Sequence, residues 1–360
     1  MVSSHTRHRC AMIELQTIKM GEDQMQITTI SIDIAKNIFH FIGCNLSNKI
    51  VVKKAIKRRQ LLTYLAQMPN CKLVMEACGT SNYWGREISQ LGFQVELIPP
   101  QHVKPFLTGN KNDYNDAYAI LIASQQAHIR SVPVKTLEQQ DSQTIHKVRE
   151  LAIGQRTALS NQIRGLLLEY GIAITKGIEN VRKEVAALLG EERVLTASFK
   201  QVLSQLYKLL QVLDESIETY NQQIKEQVKN NEICVNLQSI PGIGPIVASS
   251  YFNEVGNGSG YTKGRDVSAS LGLVPKQRST GGKSVLLGIS KRGNRYLRCL
   301  LIQGAKSVVS RAKYKTDQLS LWINRLVQTR GHNKACVAYA NKMARVAWAI
   351  TVSKEAYQAR

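Results

Sequence analysis

The sequence predicts a mixed α/β N-terminal domain, then a long helical region, then a mainly helical C-terminal part. Three observations carry this. Short apolar runs alternate with helix-spaced segments up to Pro133, apolar residues recur at three and four from Leu137 to Asn230, and the last third is dense in Gly, Lys and Arg. A chain of 360 residues exceeds one ordinary core and suits two or three domains.

Residues 1–24 are polar and irregular, so they read as a disordered extension or as a start site placed too early, with Met25 as the alternative first residue. Ile27-Thr-Thr-Ile-Ser-Ile-Asp-Ile34 reads as a buried strand, Ile38–Cys44 as a second and Ile50–Lys53 as a short third. The short links between them imply an antiparallel meander. Leu61, Leu62 and Leu65 give Arg58–Met68 helical spacing. Lys72–Ala77 is a strand, Tyr83–Leu91 a helix, and Gln94–Ile98 a strand stopped by Pro99 and Pro100. Asp113–Ala127 is a helix. The resulting order, β-β-β-α-β-α-β-α, is that of the ribonuclease-H-like fold, and Pro133 closes the domain at residues 25–135. Residues 136–232 suit long paired helices or a coiled coil, serving oligomerisation or simply a helical bundle. Residues 233–360 form the C-terminal domain, with helices over Tyr296–Val309 and Ala335–Thr351.

Composition narrows the function. The net charge is +22, and Tyr261–Arg360 holds 20 Lys and Arg against 3 acids, so the surface seeks polyanions. No apolar run reaches the roughly 18–20 residues of a membrane span. There is no secretory h-region and no basic amphipathic helix with an aromatic face. A cytoplasmic protein without membrane partners, nucleoid-associated when bound to DNA, is expected. The 7 cysteines form no CxxC pair and, with the histidines, no zinc spacing, so they read as reduced thiols.

Four acids stand out. Asp33 lies between Ile32 and Ile34 on the first strand, and Glu76 follows Leu73-Val-Met on the fourth. A carboxylate among strand apolars is costly to bury unless a cation or strong donor meets it. Asp113 and Asp116 are three apart at a helix start and share one face. Each has a plainer reading, a helix-dipole partner or a salt bridge. In the ribonuclease-H-like order, however, all four converge at one sheet edge, which calls for divalent cations. Mg²⁺ is the hard, oxygen-seeking choice, and two such ions would polarise a phosphodiester.

The C-terminal part adds two motifs. Ile240-Pro-Gly-Ile-Gly-Pro245 resembles the turn of a helix-hairpin-helix module, where Gly242 and Gly244 would let backbone N–H groups approach a DNA phosphate, although an ordinary Pro-Gly turn fits too. Further on, Ser279 and Thr280 precede two glycines, flanked by Arg278 and Lys283 and followed by Lys291, Arg292 and Arg295. A hydroxyl on a flexible loop among cations suits a nucleophile attacking phosphate, and equally a loop that grips phosphate without reacting.

Together these segments resemble the DEDD transposases of bacterial insertion sequences, the bridge-RNA-guided recombinases with a RuvC-like domain. The matching stretches are Ile32-Asp-Ile-Ala-Lys36, Met75-Glu-Ala-Cys-Gly-Thr80, Asn110-Lys-Asn-Asp-Tyr-Asn-Asp-Ala117, Ser239-Ile-Pro-Gly-Ile-Gly244, Leu271-Gly-Leu-Val-Pro275 and Ser290-Lys-Arg-Gly293. One departure is Ser31, where a glycine commonly precedes the Ile-Asp pair. The resemblance implies metal-binding carboxylates at Asp33, Glu76, Asp113 and Asp116. It implies a serine nucleophile, best matched by Ser279 with Thr280 adjacent, that becomes covalently joined to DNA. It also implies a structured guide RNA pairing with donor and target DNA, and dimers that assemble into tetramers. Two rival readings remain: a hydrolytic metal-dependent nuclease of Holliday-junction-resolvase type, and a non-catalytic nucleic-acid-binding protein.

Overall fold

The computed structural model describes residues 26–109, 112–191 and 195–358. The expected extension before Met25, and Asn110, Lys111 and Val194, lie outside the described residues. The chain divides into two compact units between Leu137 and Glu138.

The first unit is built on a five-stranded sheet. Its strands are β1 (Thr29–Asp33), β2 (Ile38–Cys44), β3 (Ile50–Lys57), β4 (Lys72–Glu76) and β5 (Gln94–Ile98), in the order β3-β2-β1-β4-β5. The first three pair antiparallel, whereas β1–β4 and β4–β5 pair parallel. This mixed α/β arrangement is consistent with the ribonuclease-H-like expectation. Period-two alternation sends the side chains to two faces. Ile30, Ile32, Phe39, Phe41, Ile56, Leu73, Met75 and Leu97 form a core on one face with Leu61 and Leu65 of α1 (Leu61–Leu65) and Trp84 and Ile88 of α2 (Ser81–Gln90).

After the short α3 (Pro100–Val103), helix α4 (Asp113–Ser124) covers the other face. Its Ala117, Ile120 and Leu121 bury against Ile42, Cys44, Val74 and Ile98. Burying Ile120 and Leu121 contributes about 2 kcal/mol each. The Asn112 side chain accepts from the Tyr114 amide at 3.0 Å and fixes where α4 begins. Beyond Pro133 the chain still belongs to this unit, since Lys135 N–H donates to Asn82 Oδ1 and Arg86 Nη1 to the Lys135 carbonyl.

The differences from expectation have local causes. Strand β3 runs to Lys57, longer than expected, because the whole length of β2 offers it an antiparallel partner. The expected helix over Arg58–Met68 is a 3₁₀ turn, Arg58–Gln60, followed by α1 alone. Helix α4 stops at Ser124, with the Ser124 hydroxyl donating back to the Leu121 carbonyl.

Among the described residues the second unit is helical apart from one hairpin. Helices α5 (Leu137–Leu168), α6 (Ile178–Gly190) and α7 (Ala197–Lys229) pack through Ile163, Leu167, Val181, Val185, Leu203 and Leu210. On α7 the buried Leu203, Leu210, Ile217 and Ile224 recur every seven residues. Asp214 joins the three helices, paired with Arg156 of α5 at 3.1 Å and Arg182 of α6 at 2.6 Å.

The chain continues through α8 (Glu232–Leu237), α9 (Pro245–Val255), α10 (Gly264–Ser270), the hairpin β6 (Pro275–Thr280) and β7 (Lys283–Ile289), then α11 (Arg295–Ala312), α12 (Gln318–Arg330) and α13 (His332–Ser353). One large core, centred on Tyr251, Leu301, Tyr339 and Met343, unites these helices with the end of α7. Among the described residues no helix is long and apolar enough to cross a membrane.

Candidate active site

Strand pairing places the first two acids. Asp33 ends β1 and Glu76 ends the parallel neighbour β4, and Ile32 pairs with Met75 one step before them. The tight β1–β2 turn sets Asp33 opposite His40. Helix α4 enters over the same face with Asp113 and Asp116 in its first turn. Carboxylate oxygens of Asp33, Asp113 and Asp116 thereby lie within 4.8 Å of one another. Glu76 is outside this three-oxygen set but within electrostatic reach of it.

The acids strain against one another. At 4.8 Å two unit charges repel by about 3 kcal/mol at an effective dielectric of about 20. Burial, and then Asp116, Asp113 and Glu76, push the Asp33 carboxyl up to about 6, and only His40 opposes them. Burial and Asp116 likewise raise Glu76. His40 Nδ1 sits 3.6 Å from Asp113 Oδ2, and its ring stands edge-on to Tyr114 at 4.7 Å. Cys78, just past Glu76, is exposed, yet burial of its thiol and the charges of Glu76 and Asp33 raise its pKa.

Ser279 belongs to the second unit. It was expected on a flexible loop, but it lies on β6, because Gly281 and Gly282 close a two-residue turn that pairs Thr280 with Lys283 and Ser279 with Ser284. Both glycines have positive φ, 56° and 77°, the requirement of a type I′ hairpin turn. Strand alternation then separates the residues that sequence had grouped. Gln277 and Ser279 share one face, while Arg278 and Thr280 share the other with Lys283. The Ser279 hydroxyl accepts from Gln277 Nε2 at 2.8 Å, so its own hydrogen stays available to donate.

The remaining basic positions sit at the hairpin base. Lys291 and Arg292 are exposed in the link to α11, and Arg295 is exposed at its first position. This link is held from below by the buried Arg298, which donates to the carbonyls of Leu271 at 3.1 Å and Arg292 at 2.6 Å. Between α8 and α9, Gly244 is exposed with open space around it, whereas Gly242 is packed. A Cβ on Gly242, at φ +89°, would lie 2.8 Å from the Gly304 carbonyl oxygen of α11. Position 242 therefore accepts only glycine, whereas a Cβ at position 244 would meet open space.

Comparison with known proteins decides the family. Residues 30–172 match a family profile described as a transposase of the DEDD type, and residues 234–320 match one described as the transposase IS116/IS110/IS902 family. The transposase for insertion sequence element IS1111A of Coxiella burnetii is 44% identical over 94% of both chains. The probable family 20 transposase of Pseudomonas aeruginosa is 41% identical over 93% of this chain and 99% of its own. The transposase for insertion sequence element IS1328 of Yersinia enterocolitica is 39% identical over 90% of this chain and 97% of its own. This chain belongs to the IS110/IS116 family of insertion-sequence transposases.

A transposase is a DNA-processing enzyme, and three acids of this one lie close enough together to hold a metal ion. Carboxylate oxygens are hard donors, the kind preferred by hard divalent cations rather than by soft metals. Sequence reading did not place His40 and Tyr114 beside the acids of this transposase. The signal was available for His40: a four-residue link from Asp33 to Ile38 fixes the hairpin register that brings it opposite Asp33.

Proposed function

We propose that this transposase performs RNA-guided, site-specific DNA strand exchange through a covalent phosphoserine intermediate. The observation that carries the reading is the convergence of Asp33, Asp113 and Asp116, with Glu76 beside them, in a chain of this family. These four residues would hold Mg²⁺. When bound, the metal supplies Lewis-acid polarisation of the phosphate and offsets its charge. His40, with Nδ1 3.6 Å from Asp113 Oδ2, would offset part of the charge of the cluster when protonated.

Ser279 is the proposed nucleophile. Its Oγ forms an ester to the scissile phosphorus as the bond to the leaving DNA oxygen breaks, and the proton lost from the serine is matched by one gained at that oxygen. Gln277 fixes the rotamer of the hydroxyl. A later attack by a DNA hydroxyl on the phosphoserine reverses these changes and releases the enzyme.

The functional modules proposed are residues 25–135 for the carboxylates, 136–232 for assembly and 233–360 for the serine and most nucleic-acid contacts. The seven-residue repeat on α7 is buried within the chain, so a coiled-coil role in dimers and tetramers would fall to its exposed Val202, Leu209 and Val212. The α8–α9 turn would act as a helix-hairpin-helix element through the Gly242 and Gly244 amides. Arg278, Thr280, Lys283, Lys291, Arg292 and Arg295 would contact phosphates of DNA or of a guide RNA.

Ser279→Ala and Asp116→Asn test the proposal on plasmids carrying the element ends. Ser279→Ala should lose the covalent protein–DNA product and strand exchange while binding DNA. Continued cutting without the adduct would favour a hydrolase, and an undiminished adduct would refute Ser279. Asp116→Asn should lose metal-dependent exchange and keep low-salt binding, because affinity comes mainly from Lys and Arg contacts.

A further inference from the structure

Strand β3 is the sheet edge, and from Lys53 onward its residues on the α4 side are Lys53, Ala55 and Lys57. All three are exposed. The face assignment is fixed by contacts: Lys53 Nζ lies 4.3 Å above the Tyr114 ring of α4, whereas Lys54 Nζ lies 4.4 Å above Tyr64 on the opposite side. Register sets Ala55 opposite His40 and His40 opposite Asp33. A single row across three strands therefore runs from an uncovered alanine, past the imidazole, to the carboxylate cluster. Lys53 and Lys57 stand two residues to either side of that alanine, about 7 Å along the strand each way. Among the described residues neither lysine has an ion-pair partner.

We propose that this open face of β3 is a track for one DNA strand, with Lys53 and Lys57 gripping phosphates on either side of Ala55 and leading the backbone to the acids. The inference rests on the reading of the carboxylates as a phosphodiester-processing site, and it adds the residues that bring the substrate in. A small residue between two cations leaves room for a backbone to lie against the sheet. Lysines also protect edge strands from pairing with other chains, but that need is indifferent to face. Lys54, pointing the other way, serves it equally well, so it is the internal control.

The experiment uses the full chain. A photoreactive benzoylphenylalanine replaces Ala55 or, separately, Lys54, and each protein is irradiated with labelled single-stranded DNA or with RNA of the same sequence. Crosslinking to DNA from position 55 and not from position 54 is expected. RNA labelling alone at position 55, equal labelling from both positions, or none at all would overturn the proposal. In parallel, Lys53→Gln/Lys57→Gln should shallow the salt dependence of single-stranded DNA binding by about 1.4 in slope, at about 0.7 per lost phosphate contact. Lys54→Gln should leave it unchanged, and a double variant with the wild-type slope would refute the track. Crosslinking reads contact without turnover, so DNA crosslinks from a protein that never exchanges strands would refute the recombinase reading and leave the track standing.

Discussion

Replacing Asp33 by Asn should stabilise the metal-free protein at neutral pH while abolishing its chemistry. The Asp33 carboxyl is raised from 3.8 to about 6 by burial and by three acidic neighbours. Between these values the folded state binds more protons than the unfolded one, so the stability of the wild-type protein falls as pH rises from about 4 to about 6. Above about 6 the penalty is fully in place. At 1.36 kcal/mol per unit it is at most about 3 kcal/mol, and solvent screening of this half-buried group reduces it to about 1–2 kcal/mol. Asn keeps the shape and removes the charge. The assay is urea unfolding with a chelator, wild type against Asp33→Asn, at about pH 4 and about pH 7.5. The variant should be more stable by that amount at the higher pH and equal at the lower. Added Mg²⁺ should stabilise the wild type by RT ln(1 + [L]/Kd), about 2.7 kcal/mol at a hundredfold excess over Kd, and do little for the variant. A variant that is less stable than wild type at neutral pH without metal would show that the acids do not repel one another as described.

The second unit should respond to acid in the opposite sense. His146 is buried between Ser249, 3.0 Å from Nε2, and Tyr296, 3.2 Å from Nδ1, and burial with the nearby Arg149 lowers its pKa from 6.5 to about 4. Its contribution is complete above about 6.5 and is lost as pH falls towards about 4, up to about 3 kcal/mol, so His146→Asn should flatten that acid limb in urea titrations of the same kind. Gly242→Ala meets the Gly304 carbonyl at 2.8 Å from a left-handed backbone, and should lower stability by about 1–3 kcal/mol in calorimetry. Asp214→Ala leaves Arg156 and Arg182 without their shared carboxylate. A loss of about 2 kcal/mol is expected, with faster amide exchange in α5–α7 than in the sheet.

Much of this architecture was legible because its signals are local and periodic. Strands β1, β2, β4 and β5 announce themselves by apolar runs bounded by turn residues, and α4 by the helical spacing of Ala117, Ile120, Leu121 and Ala123. The acids were legible as strand-embedded or helix-initial carboxylates. What escaped depends on pairing across distance. The hairpin β6–β7 is exposed along nearly its whole length, so burial leaves no apolar alternation in its sequence, and its Gly281-Gly282 turn was read only as looseness. His40 carries meaning only through its register with Asp33, and Gly242 only through a helix that begins more than fifty residues later. Composition also joined Ser279 to Arg278 and Lys283, which the pleat of the strand sends to the other side.

That opposition of neighbouring hydroxyls has a corollary. Ser279 and Thr280 are one codon apart yet address opposite half-spaces, so neither stands in for the other by a small adjustment of the chain. Deleting a single glycine from the turn would not merely shorten the hairpin but would shift its pairing, and with it the residues that share a side with the serine. The letters of β7 thus matter less to where the serine faces than the count of residues between Gln277 and Ser284, which sets the register.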